Sequence, residues 1–160
     1  MTMNLGQSRL VARGAWVIFG LSVMIHVTAV LGVNWFNLFP PIMLMHLVVF
    51  IPFIALVMTG GGRMKGRDFF GPIPIWGRVV MGLVLVYTIL NFFYFMQLSE
   101  GGGPSIVDGQ FVIQSHGTII REITEAEYNR QQAYVVRGFS GHWMLFALAP
   151  ALFFTFGRDK

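Results

Sequence analysis

Residues 14–62 contain no Asp, Glu, Lys or Arg. Soluble domains carry about 25% charged residues, so a stretch of this length does not suit a surface that faces water. Over all 160 residues only 11% are charged, while 55% are apolar and none is Cys. This composition excludes disorder, collagen and a disulfide scaffold, and it fits a soluble globule poorly. It points to an integral membrane protein.

The segment 34–41, with two Asn and a Pro pair, divides the uncharged stretch. It leaves spans over about residues 15–33 and 41–59, with Pro41 in a first helical turn. Two more spans are predicted over about residues 77–97 and 141–157, the last behind Ser140 as N-cap. A helix needs about 20 residues to cross roughly 30 Å of hydrocarbon. The fourth span is short, and Pro150 interrupts it. The first is longer than a secretory signal's apolar core of about 7–15 residues, so it reads as a retained anchor.

Charge sets the orientation. One side holds Arg9, Arg13, Arg63, Lys65, Arg67, Arg78, Arg158 and Lys160 against Asp68 and Asp159. The other holds Arg121, Arg130 and Arg137 against Glu100, Asp108, Glu122, Glu125 and Glu127. Lys/Arg excess marks the cytoplasmic side, so both termini are expected there. Trp16 and Trp76 fall at the inner boundary, Trp35 and Trp143 at the outer one, as in an aromatic belt. Arg63, Lys65 and Arg67 serve as a topology determinant or bind anionic headgroups.

Segment 98–140 is too long for a plain turn. Residues 106–107 and 111–113 flank Asp108–Gly109 as two short strands, and 118–123 makes a third after the Ser115–His116–Gly117 turn. Thr124 and Glu127 fit a capping box, so a helix over 125–136 follows. The expected fold is an all-α membrane protein: a single domain with a four-transmembrane-helix bundle. A small extracytoplasmic β-meander plus helix is inserted between spans 3 and 4.

Polar groups inside hydrocarbon are costly and are often functional. Counted at 1.5 Å per residue from the outer ends, His26 lies roughly 12 Å deep, His46 roughly 8–9 Å and Asn91 roughly 9 Å. His142, at the start of span 4, lies roughly 3 Å deep. Thr88 and Ser22 lie one turn below Asn91 and His26. A histidine pair on facing helices can clamp a b-type haem; His26 with His46 matches best, and His142 is the second choice of partner. The same layer suits a quinone, with His and Asn hydrogen-bonding its carbonyls. The plain alternative is that these groups bond across helices and fix the packing.

Nothing else suggests catalysis or a metal. His116 is a turn residue, Glu122, Glu125 and Glu127 are solvated or first-turn acids, and the ten Met are lipid-facing or packing residues. Ion transport lacks a charge within a span. Gly20, Gly32 and Gly82 offer sites of close helix approach. No basic stripe interleaved with aromatics suggests nucleic acid.

Residues 137–144 read RGFSGHWM, after DGQFVIQSHGTIIREITEAEY at 108–128. With these motifs the last third of the chain, and more loosely the His46 helix, resembles small four-helix bacterial membrane proteins of no assigned activity. The resemblance implies a shared architecture and a bacterial plasma membrane, and no cofactor or site. The expected role is a non-catalytic subunit or scaffold, whose partners are the bilayer and other membrane subunits or a second copy. The alternative is a haem b or quinone protein using His26 and His46, with Asn91 and His142 beside them.

Overall fold

The computed structural model describes residues 3–59 and 66–157. Arg63 and Lys65 lie outside them, as do Arg158, Asp159 and Lys160 and the side chains of Arg67 and Asp68. The orientation rests partly on these charges, and so does the headgroup reading of the basic loop.

Helix α1 (Leu5–Val30) starts at an Asn4–Gln7 capping box. A short α2 (Trp35–Leu38) and a 3-10 turn (Pro40–Leu44) lead into α3 (Met45–Met58). After α4 (Gly66–Phe70), α5 (Ile75–Leu98) runs back to the same end as α2. Three antiparallel strands follow in order: β1 (Gly103–Val107), β2 (Gln110–Ser115) and β3 (Thr118–Glu122). Helix α6 (Glu125–Phe156) completes the chain. Four helices are long and apolar enough to cross a membrane.

The strand assignments match the expected meander. Both hairpin turns put two residues at positive φ, Asp108–Gly109 and His116–Gly117, the backbone that suits the right-handed strand twist. Arg121 of β3 grips Glu100 with two bonds of 2.8 and 2.9 Å and reaches Glu127 at 3.5 Å. These bonds hold the Glu100 carboxyl below the usual range. The Thr124 backbone N–H does the same for Glu127, completing the capping box. Phe111 packs on Tyr128, so the sheet leans on the first turn of α6.

The expected helix 125–136 and the separate span 141–157 are one continuous helix. Ser140 is therefore not an N-cap. It lies in mid-helix, where its hydroxyl donates to the Arg137 carbonyl at 3.2 Å. Gly138 does not break the helix, because the Phe95 ring occupies the space a side chain would take; a Cβ there would come within 2.6 Å of it.

α6 is the central helix. Of its most apolar 18-residue window 61% is buried, against 28% or less in the other three. It packs against α1, α3 and α5. At the sheet end the core joins Ile25, Ala29, Ile42, Val49, Val136 and Trp143. Ala12, Leu56, Phe153 and Phe154 form a second cluster at the other end, and Ile73, Met81, Leu148 and Leu152 a third. The outward faces of α3 and α5 are apolar, with Leu47, Ile51, Leu83 and Leu90 exposed.

Two further expectations change. A Cβ at Gly20, Gly32 or Gly82 would meet nothing within 4 Å, so these glycines mark no close approach. The tight contacts to a neighbouring helix fall at Gly77, Gly138 and Gly141. Trp143, expected at the outer boundary, is fully buried inside the bundle, and α6 carries several turns beyond it toward the sheet.

Candidate functional site

The cross-helix bonds of α6 set a common scale of depth. The Gln131 side chain donates to the Leu98 carbonyl at the last turn of α5, 3.1 Å. Asn34, just beyond α1, donates to Asn129 and Gln132, both at 2.7 Å. Eleven residues further along α6, His142 lies roughly 16 Å below Gln131. The expected depth of roughly 3 Å was counted from a helix that begins at Gly141; α6 begins at Glu125 instead.

The structure brings the polar residues of α1, α3 and α5 together against residues 137–143 of α6. His26 Nδ1 meets Ser140 Oγ at 2.9 Å, and its Nε2 meets Tyr87 Oη at 2.6 Å. Thr88 donates to the Gly141 carbonyl at 2.9 Å. Asn91 donates to the Arg137 carbonyl and accepts from Arg137 Nε, both at 3.1 Å. Trp143 Nε1 donates to His46 Nδ1 at 3.1 Å. Ser22 stays apart and bonds its own helix at Ile18.

For His46 and His142 the partners fix where the proton of a neutral imidazole sits. Ser140 and Tyr87 present hydroxyls that can each donate or accept, so either neutral tautomer of His26 satisfies both contacts. Both nitrogens of His26 are engaged. His46 Nδ1 receives the indole N–H, so its proton is on Nε2. His142 Nδ1 faces the Gly138 carbonyl at 3.1 Å and must donate, which leaves a lone pair on Nε2.

His46 and His142 line one cavity of about 250 Å³ together with Phe50, Phe92, Phe95, Gly138, Phe139 and Phe146. Its walls are α3 and α5 and its floor is α6. Aromatic edges hold both imidazoles: Phe50 and Phe139 meet His46, and Phe92 meets His142.

These residues do not fit a two-histidine haem. Iron needs an unprotonated nitrogen from each ring. His26 has none to spare, and His46 carries its proton on the nitrogen left over from Trp143. Only His142 presents a lone pair. Among the described residues, no group of three or more His, Cys, Asp or Glu is arranged to hold a metal.

The sequence reading missed Tyr87, Tyr94, Arg137, Ser140 and Trp143 as members of this layer. A signal was present: Tyr87, Asn91 and Tyr94 recur at i, i+4 and i+7, one stripe of a helix.

The fold defines a helical bundle in which four helices could span a membrane, with a three-stranded sheet at one end. No protein-family model, no curated protein and no solved structure matches the chain.

Proposed function

We propose that the chain is a multi-pass protein of a bacterial plasma membrane, with both ends cytoplasmic. Its groove between α3 and α5 holds a lipid-soluble ring ligand of the quinone class. Four apolar helices with outward apolar faces support the membrane reading. Among the described residues, Arg9, Arg13 and Arg78 at the end away from the sheet support the orientation.

One observation carries the ligand reading: His46 and His142 offer opposite hydrogen-bonding character at one aromatic cavity. His46 Nε2–H donates to a ring oxygen; His142 Nε2 accepts from a ring hydroxyl. A quinol satisfies both without moving a proton in the protein. A quinone, which only accepts, satisfies His46 alone. The groove therefore prefers the reduced ring.

The test is equilibrium binding of a short-chain hydroquinone and its quinone to the detergent-solubilised chain, read by tryptophan quenching. The quinol binds at least fivefold more tightly, and His46→Ala and His142→Ala each weaken it at least fivefold. Equal binding by wild type and both variants sinks the reading.

A second role, as subunit or scaffold of a membrane complex, draws on the sheet. Ile106, Ile119 and Ile120 are 54%, 48% and 47% exposed there. Cross-linking in native membranes through a photoreactive residue at Ile119 gives one stoichiometric adduct if this is right. A ladder of unrelated products counts against it.

A further inference from the structure

The sequence reading placed Arg137 among the charges outside the bundle. In the structure it lies six residues below Gln131 on α6, roughly 9 Å beneath the last turn of α5. We propose that Arg137 anchors a site for a phosphate-type anion in the sheet-side half of the bundle. The inference rests on the membrane reading above and is independent of the groove, which opens on the other side of α5.

Three observations support it. The first is what the guanidinium has and what it lacks. Its Nε donates to Asn91 Oδ1 at 3.1 Å, and its carbon stands 4.5 Å from the centre of the Tyr94 ring. Among the described residues the ion pairs are Arg121–Glu100 and Arg121–Glu127, so no carboxylate neutralises Arg137. A guanidinium has five N–H donors, and the four terminal ones have no hydrogen-bond partner among the described residues. A cation in hydrocarbon with open donors is expensive, and such groups are partnered or functional.

The second is the way in from the water. Arg130, Tyr134 and Arg137 recur at i, i+4 and i+7 of α6, one face of the helix. Above Arg137, Arg130 and Tyr134 line a polar cavity of about 250 Å³ with Gln97 and Gln131. Glu100, Arg121 and Glu127 line it too, but these three are tied to one another. Arg130 has no ion-pair partner among the described residues.

The third is the fit of the anion. A guanidinium with Nε occupied keeps a planar set of terminal donors that matches two oxygens of one phosphate. The aromatic face of Tyr94 holds the cation in place. Arg130 and Arg137 flank the level at which Gln131 meets Leu98, the end of the apolar α5, which in the membrane reading is where lipid phosphodiesters lie; free phosphate, entering through the polar cavity, presents the same oxygens.

The test uses the full chain in maltoside micelles. Retention of phosphatidylglycerol, diacylglycerol and inorganic phosphate is compared for wild type and Arg137→Met. The backbone carbonyl of Arg137 keeps its bonds from Asn91 and Ser140 in the variant, so folding is expected to survive. Arg137→Lys, which keeps the charge and loses the two-point grip, covers the case in which it does not.

Wild type is expected to retain phosphatidylglycerol at least fivefold better than Arg137→Met, with Arg137→Lys between them. Diacylglycerol separates none of the three. Displacement of the lipid by millimolar phosphate, dependent on Arg137, assigns the site to the free anion; no displacement assigns it to the lipid. Equal retention of phosphatidylglycerol by all three, or binding of diacylglycerol as well as of phosphatidylglycerol, overturns the site. Flotation with lipid vesicles separates the two readings. A chain that inserts but shows no Arg137 dependence loses only this site, and a chain that does not insert loses the membrane reading and the site together.

Discussion

Trp143 of α6 donates its indole N–H to Nδ1 of His46 on α3 at 3.1 Å. This bond joins a fully buried ring to one on the wall of the groove, and it determines which nitrogen of His46 keeps a proton. Core packing at Trp143 thereby sets the hydrogen-bonding character of the groove.

Replacing Trp143 with Phe keeps a large ring in the core and removes the donor. A net loss of about 0.5–1.5 kcal/mol is expected, as for one buried hydrogen bond, with several-fold weaker quinol binding. Unfolding in micelles and the quenching titration measure the two effects. Weaker stability with unchanged binding would separate the bond from the groove.

His26 and Ser140 form a pair suited to a double-mutant cycle. Removing Ser140 Oγ leaves His26 Nδ1 without its hydrogen-bond partner. The coupling between His26→Phe and Ser140→Ala is expected at about 0.6–2 kcal/mol, the range for interhelical bonds in membranes. Zero coupling means that the bond contributes nothing to stability.

Glycines divide by what surrounds them. A Cβ at Gly138 would meet Phe95 at 2.6 Å, and one at Gly141 would meet Asn91 at 2.7 Å. Alanine at either position pushes α5 away, with a cost of about 1–3 kcal/mol despite the better helix propensity. Gly82→Ala on α5 faces open space and is expected to be neutral or to stabilise by up to about 1 kcal/mol. Thermal unfolding of the three variants orders them; a Gly141→Ala protein as stable as Gly82→Ala contradicts the close approach.

The tie between sheet and helix depends on pH. Arg121 holds the Glu100 carboxyl below its usual range through side-chain hydrogen bonds. A carboxyl depressed in the folded state adds stability above its unfolded value of about 4.3 and loses it as pH falls through the lower folded value. Amide exchange in β3 is therefore expected to quicken as pH drops below about 4.3, after correction for intrinsic rates. Salt weakens the effect, since both side chains are exposed. Glu100→Gln removes the dependence; an unchanged pH profile in that variant assigns it elsewhere.

Protein from haem-replete cells is expected to be colourless, because neither His26 nor His46 has a free lone pair on an unprotonated nitrogen. A Soret band lost on His46→Ala reverses this assignment.

Much of the fold was legible because the quantities that govern it run along the chain. Transfer of apolar side chains out of water depends on composition in a window, so four apolar helices show in the sequence. The turns at Asp108–Gly109 and His116–Gly117 and the Thr124–Glu127 capping box are local chemistry and appear where expected. The layer of His26, His46, Asn91 and Thr88 was also visible, because depth on a helix is a count of residues.

Rotation about each helix axis was not visible, and neither was the identity of the helix at the centre. Val136 and Ser140 look like the end of one element and the cap of another, but α6 runs on through both, packed against α5 and α1. That continuity moves Arg137 inward, buries Trp143 and sinks His142 to the level of His46. The sequence by itself determined which segments shun water and how far along each a polar group lies. Only the packing of three helices around α6 decided which polar atoms meet, because a hydrogen bond requires two side chains to share a direction as well as a depth.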